Sequence, residues 1–267
     1  MADPLLQDAE ALMDAAWPAP ERQDDGGWVF RAASGVTQRA NSVWPRNEPG
    51  AAPNGRSAAL RNARLWYRKR RLPLILQVFE DPRYARLNAL LDEEGFTRQS
   101  ETLILVRDAG APRAEDAPAG PGGVEVSAYP SGEWLRLWWS VDGRGGTAEL
   151  AVARGILEGC PSLYALVRDD DGVPAAVGRL AVPPGGAVGR GGLYAMATRP
   201  DARRRGHAAR IIQALVHEGA QRGLAGFWLL VMASNAGARE LYSQAGFHEA
   251  GRYLYRQERP KRHLTGC

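Results

Sequence analysis

The chain has 267 residues, enough for one large domain or two of ordinary size, and 45% of them are apolar, so a packed core is available. A formal charge of +4 suits an anionic ligand without marking a nucleic-acid binder, and no recognition motif accompanies the arginines. No apolar run approaches a membrane span, the opening MADPLLQDAEALMDAAW is acidic and amphipathic rather than secretory, and Cys160 and Cys267 lack metal-ligand spacing; the expectation is a reduced cytoplasmic protein with no membrane and no metal.

Residues 4–16 predict a helix with Leu5, Leu6, Ala9, Leu12, Met13 and Ala16 on one side, ended by Pro18 and Pro20. Trp28 to Ala32, a Ser34-Gly35 turn and Val36 to Trp44 read as a hairpin, and Asn47 to Gly55 as a Pro/Gly/Asn loop. A very basic helix is expected over Ala58 to Arg71 and a buried-type strand over Leu74 to Phe79. Arg83 to Glu94 reads as another helix, closed by Gly95-Phe96, and Gln99 to Arg107 as a strand. The Ala/Pro/Gly-rich stretch 109–123 reads as a linker.

Val124 to Val126 then gives a short strand, Glu133 to Val141 a helix carrying Trp134, Trp138 and Trp139, and Thr147 to Leu157 a further helix. Leu163 to Val167 and Ala175 to Val182 form a hairpin across the Asp169–Gly172 turn, and Gly185, Gly186 and Gly189 loosen the connection that follows. Leu193 to Thr198, bounded by Gly191-Gly192 and Pro200, suits a buried strand. After a turn bearing Arg and Gly, the apolar residues Ala209, Ile212, Leu215, Val216 and Ala220 keep helical spacing, and Gly223 is a stop. Phe227 to Met232 is a continuous apolar run, as for a strand covered on both faces; a shorter helix and a last strand follow, and the tail from Gln257 is charged and expected to fray.

A helix that begins after such a turn presents free backbone N–H groups and the positive end of its dipole, which together make an anion site. Gly206 and Ala208 have little or no side chain, so a phosphate can approach the main chain there. The pattern Arg203-x-x-Gly206-x-Ala208 resembles the pyrophosphate loop, Q/R-x-x-G-x-G/A, of the GNAT superfamily of acyl-CoA-dependent N-acyltransferases, and it sits in the confirming context, after a strand and opening a helix. Asn235 and the run from Ala238 to Phe247 resemble the second signature of that superfamily, N-x-x-A-x-x-L-Y-x-x-x-G-F, at every fixed position. The element order of 124–256 is also that of a complete GNAT domain.

The first part of the chain follows the same order. With Gly95-Phe96 aligned on Gly246-Phe247, Leu90 falls on Leu241 and the strand at 74–79 falls close to the one at 227–232. Where the chemistry lies it departs: Leu91 replaces Tyr242, Tyr84 replaces Asn235, and Ala52 to Ser57 lacks the loop. The resulting expectation is an α/β (α+β) protein of two GNAT-like domains, each a mixed, mostly antiparallel sheet flanked by helices. Residues 1–108 form a degenerate domain, 109–123 the linker, 124–256 the catalytic domain and 257–267 a charged tail; an unrelated α/β domain with a chance Gly-Phe match is the alternative for the first part.

The resemblance implies acetyl-CoA as cosubstrate. The pantetheine arm would pair with the main chain of Met196, Ala197 and Thr198, and the pyrophosphate would lie on the loop Arg203, Arg204, Arg205, Gly206, His207 and Ala208. Arg204 stands where the family often has Gly, and a guanidinium there could pair with a phosphate. A solvated basic turn is the plain alternative for the three arginines. Tyr242 resembles the residue that protonates the departing thiolate, the alternative being a core aromatic. Asn235 resembles the position that hydrogen-bonds the arm or a water, and it is equally suited to capping a helix.

A primary amine with a pKa of about 10.4 must lose a proton before it attacks. Arg190 to Thr198, where many relatives place a Glu, contains no carboxylate; Glu133, Glu149 and the Asp169–Asp171 turn remain open, as does a water chain. His207 and His248 read as surface residues, and the three tryptophans as either acceptor pocket or core. The function expected is acetyl transfer to a small-molecule or protein amine, with main-chain N–H groups near Met196–Ala197 polarising the carbonyl. The alternative is a non-catalytic acyl-CoA sensor or partner-binding module on the same fold.

Overall fold

The computed structural model describes residues 4–46, 55–110, 123–184 and 189–259. Most of the expected loop at 47–55 and of the linker at 109–123, the Gly185-Gly186 connection and the end of the tail lie outside them. In chain order the first elements are α1 (Pro4–Ala16), β1 (Glu21–Asp25), β2 (Trp28–Ala32), β3 (Trp44–Pro45), α2 (Gly55–Lys69), β4 (Ile75–Phe79), α3 (Ala85–Glu93) and β5 (Thr97–Asp108). There follow β6 (Glu125–Ser127), α4 (Gly132–Asp142), α5 (Thr147–Glu158), β7 (Ser162–Arg168), β8 (Pro174–Ala181), β9 (Arg190–Thr198), α6 (His207–Gln221), β10 (Gly226–Met232), α7 (Ala236–Gln244) and β11 (His248–Gln257). The architecture is thus α/β, with mostly antiparallel strand pairing and helices packed on the sheet.

The chain divides into two compact units, Met1–Pro18 with Leu103–Ala250, and Ala19–Thr102 with Gly251–Cys267. This partition differs from the boundaries read from the sequence, because the first helix and the last strand each pack with the half farther away along the chain.

In the larger unit the strands lie in the order β10-β9-β8-β7-β6. β6 through β9 pair antiparallel in succession, and β9 pairs parallel with β10. A parallel pair requires a crossover, and α6 supplies it. The face of α6 carrying Ile211, Ile212, Leu215 and Val216 is buried against Leu180, Leu193, Phe227 and Leu229. Burying such side chains stabilises by about 1.5–3 kcal/mol each.

α1 belongs to this unit for a reason the sequence alone does not give. Arg179 on β8 is fully buried, and its Nη1 donates to the carbonyl of Ala16 at 2.9 Å while its Nε donates to Ser162 Oγ at 3.0 Å. Ala16 is the last residue of α1, so the guanidinium meets one of the carbonyls that a helix leaves unpaired at its negative end. Trp17 stacks on Tyr194 at 5.5 Å, and both rings lie within 6 Å of the Arg179 guanidinium carbon.

In the smaller unit β1, β2 and β3 form an antiparallel sheet. Val43, beside β3, pairs parallel with Leu76 of β4, and β4 pairs antiparallel with β11. The order here is three strands, helix, strand, helix, strand, as it is from β7 to β11 in the chain.

The hairpin expected over Trp28–Trp44 is different in detail. β2 does pair antiparallel with β3, Val29 opposite Trp44, but only over two residues; its longer partner is β1, whose sequence ERQDD is exposed and has no apolar alternation to announce a strand. Val36 to Ser42 instead form a loop held by Asn41, whose Oδ1 accepts from Ala33 N and Gly35 N at 2.8 and 2.9 Å. The amide of Asn41 donates to the carbonyls of Val36 and Thr37.

If α1 is integral to the larger unit, Trp17→Ala should destabilise the protein by about 3–5 kcal/mol, the usual cost of truncating a buried aromatic. Urea unfolding followed by the tryptophan signal measures it, and a loss under about 1 kcal/mol would show that the helix is only a surface decoration.

Candidate functional site

β9 and β10 run parallel in register from Gly226 opposite Arg190 to Leu229 opposite Leu193, and the pairing stops there. On its other side β9 stays paired with β8 to its end, through a register shift between Val177 and Arg179. The extra residue of this bulge is on β9, where Ala195 has φ of 50°, and Gly178 stands opposite. A Cβ on Gly178 would lie 2.5 Å from both Ile211 Cγ2 and Met196 Sδ, so only glycine fits. The carbonyl of Gly178 accepts from the indole of Trp134 at 3.2 Å, and the same N–H also meets Ala165 O at 3.0 Å. The bulge turns β9 away from β10, so Met196, Ala197 and Thr198 have no partner on that strand.

The gap opens into a cleft of about 720 Å³. Met196, Ala197, Thr198, Arg203, Arg204, Gly206, His207, Ala208, Asn235 and Tyr242 all line it, and Arg205 does not.

After β9, Arg199 anchors the turn. It pairs with Asp169 and Asp201, each at 2.7 Å, and donates to Pro174 O at 3.0 Å. Arg204 then takes φ of 64° and Gly206 φ of 78°, and Gly206 precedes the first residue of α6. Arg204 therefore adopts the left-handed conformation that the glycine usual at this position would adopt freely. No side chain caps α6, so the N–H groups of its first turn are left for a ligand.

His207 is buried, contrary to the expectation of a surface residue: as the first residue of α6 it turns inward under the loop. Neither of its ring nitrogens has a hydrogen-bond partner among the described residues. His248 is exposed as expected.

Asn235 caps α7 by accepting from Ala238 N at 3.1 Å, and its place on the cleft leaves the amide NH₂ available as a donor. Tyr242 is buried on α7, edge-on to Phe247 at 6.2 Å, and its hydroxyl bonds to no described residue. Burial, and secondarily the negative charge of Asp142, push its pKa up to about 12.

The candidate bases lie elsewhere. Arg168 hydrogen-bonds Glu133 and holds its carboxyl below the usual range. Glu149 is held low by backbone N–H groups, its own first and then that of Gly146. Asp169 is held low by Arg199. None of these, nor Asp170 or Asp171, lines the cleft.

Asp142 does line it, and sequence reasoning passed over it. Surrounding protein pushes its carboxyl up, against a hydrogen bond from the Trp138 indole and the charge of Arg203, although the residue is open to the cleft. The available signal was its place at the end of the tryptophan-bearing helix. Trp134 and Trp138 are themselves core, packed at 5.9 Å from one another, and neither lines the cleft.

The Tyr242 hydroxyl gives a pH test. Its pKa is raised in the folded state, so its contribution is complete below pH about 10, the ordinary tyrosine value, and is lost as pH climbs towards 12. Tyr242→Phe should remove this part, of up to about 2.7 kcal/mol, from the alkaline fall in unfolding free energy. Denaturant unfolding between pH 9 and 12 measures it, and coincident curves would place the hydroxyl in open solvent.

Comparison with known proteins gives a consistent picture. The family model described as "Probable histone acetyltransferase Rv0428c C-terminal" matches residues 6–256. An "Uncharacterized N-acetyltransferase YobR" of Bacillus subtilis (strain 168) is 24% identical over 256 residues, covering 95% of this chain and 99% of that protein. A GCN5-related N-acetyltransferase from Kribbella flavida superposes with a TM-score of 0.68 at 19% identity, over 99% of this chain and 98% of that one. A tandem GNAT protein from the clavulanic acid biosynthesis pathway superposes with a TM-score of 0.60 at 16% identity, over 82% of this chain and 76% of that one. These last two likenesses concern the fold, and the family match spans nearly the whole chain. The chain belongs to the Rv0428c C-terminal family of acetyltransferases and, with it, to the GNAT superfamily.

Proposed function

We propose that the protein is an acetyl-CoA-dependent N-acetyltransferase that moves an acetyl group to a primary amine, of a small molecule or a protein, by direct attack. The observation that carries this reading is the meeting, in one cleft, of an unpaired strand end, an uncapped helix N-terminus and a protonated phenol.

The residues fit the cosubstrate. Met196 to Thr198 offer main-chain groups without a β10 partner to a pantetheine arm. The first-turn N–H groups of α6, with Arg203 and Arg204, suit a pyrophosphate. His207 lines the same cleft, and a ring N–H there can donate to the same anion. Asn235 has its amide NH₂ free to bond the arm. When bound, acetyl-CoA supplies a thioester acyl group with a thiolate as leaving group.

Tyr242 stays protonated throughout the physiological range. A phenol at about 12 is a much weaker acid than an ordinary thiol at about 8.5, so complete proton transfer to a thiolate is uphill by roughly 3–4 pH units. The hydroxyl therefore acts as a hydrogen-bond donor to the developing charge, and the proton lost by the amine nitrogen completes the exchange. Main-chain N–H groups near Met196–Ala197 polarise the acyl carbonyl.

The first half of the chain is, in this reading, a GNAT-like half without a working cofactor site. Leu91 and Tyr84 stand there in place of Tyr242 and Asn235, and both are buried. The free, buried thiol of Cys160 accords with a cytoplasmic setting.

Titration calorimetry should find one acetyl-CoA per chain, and Gly206→Glu should abolish it. The Cβ meets nothing within 4 Å, so the left-handed φ costs only about 1–2 kcal/mol, whereas the carboxylate repels the phosphates. Two equivalent sites, or unchanged affinity in the variant, would refute the loop assignment.

Tyr242→Phe should keep acetyl-CoA affinity and lower turnover, read as free thiol with an amine panel, by tenfold or more. Tight binding with no turnover of any amine by the wild type would instead favour a sensor of acyl-CoA.

A further inference from the structure

The cleft is lined by charge of both signs. α6 begins on it, where its free N–H groups, Arg203 and Arg204 make a positive field. α4 ends on it, bringing the negative pole of its dipole together with the carboxylate of its last residue, Asp142. A carboxylate at a helix C-terminus repels phosphate, so this end cannot serve the pyrophosphate. It favours a cation.

The Trp138 indole beside Asp142 favours its ionised form, and Trp138 is packed against Trp134, whose own indole is fixed to β7 and β8. Its charge reaches two other groups of the cleft, the Tyr242 hydroxyl and the Arg203 guanidinium. It forms no ion pair among the described residues. Glu240, the other carboxylate on the cleft, has Oε1 engaged by Gln244 Nε2 at 2.7 Å.

We propose that Asp142 determines acceptor specificity: its carboxylate receives the acceptor as an ammonium ion beside Tyr242, and so selects cationic primary amines over neutral nucleophiles. This rests on the assignment of the cleft to acetyl-CoA. The positive charge that an amine carries near neutral pH becomes its means of recognition. An alcohol of the same shape would displace solvent from Asp142 without supplying a counter-charge.

The test uses two probes that need no identified acceptor: S-aminopropyl coenzyme A, which projects an ammonium beyond the sulfur, and its uncharged S-butyl counterpart. Calorimetry on the full chain should show the wild type binding the aminopropyl probe about tenfold tighter or more, in line with a charge-assisted hydrogen bond. Asp142→Asn, which keeps the shape, should bind the S-butyl probe as the wild type does and lose the preference. Asp142→Glu should retain part of it. No preference in the wild type, or a preference that survives in Asp142→Asn, overturns the assignment of Asp142 while leaving the cofactor site standing. Failure of the S-butyl probe to bind the wild type overturns the cofactor site itself, and the ammonium subsite falls with it.

Discussion

Trp134 donates its indole N–H to the carbonyls of both Ala165 and Gly178, and the opening of the sheet depends on that bond. Gly178 stands opposite the bulge without a register partner on β9; a buried carbonyl left without a donor would cost about 1–3 kcal/mol. The strained φ of Ala195 adds roughly 1–2 kcal/mol against the bulge. The buried indole is braced by Tyr164, edge-on at 5.2 Å.

The same logic governs the loop. Its geometry is local strain, in the left-handed residues Arg204 and Gly206, held by non-local pairing of Arg199 with Asp169 on the hairpin between β7 and β8. His207 adds a second unmet demand, since two buried ring nitrogens have no described partner. Sites that bind ligands keep such demands open because the ligand satisfies them, and local stability is lower there as a result.

Features that depend on neighbours in the chain were legible in the sequence. The loop 203–208 and the run 235–247 are short, and each fixes its own helix start, so residue type and spacing carry most of the information. Arg204, at a position where the family often has glycine, takes a left-handed conformation that the sequence reading did not anticipate. Features made by distant residues were not legible. Gly178 reads as an ordinary strand glycine until Ile211 and Met196 close on it, and Trp134 is a core residue whose importance lies in one hydrogen bond to a carbonyl 44 residues away. β1 is a strand because β2 offers it an edge, not because ERQDD favours one. Asp142 was not legible because only the fold decides which end of α4 meets the cleft: Glu133, in its first turn, does not line it, and Asp142, its last residue, does.

The bond from Arg179 to Ala16 spans 163 residues, and this bears on how the protein is made. The ribosome delivers α1 well before β8 and β9, yet Ala16 and Trp17 meet Arg179 and Tyr194 only when those strands have emerged. At about 5–20 residues per second that interval is roughly 10–30 s. Throughout it the nascent chain carries an amphipathic helix whose apolar face has nowhere to dock, a natural client for a chaperone waiting at the exit tunnel. The smaller unit faces a similar delay, because β4 acquires β11 only after everything from β5 to β10 has emerged.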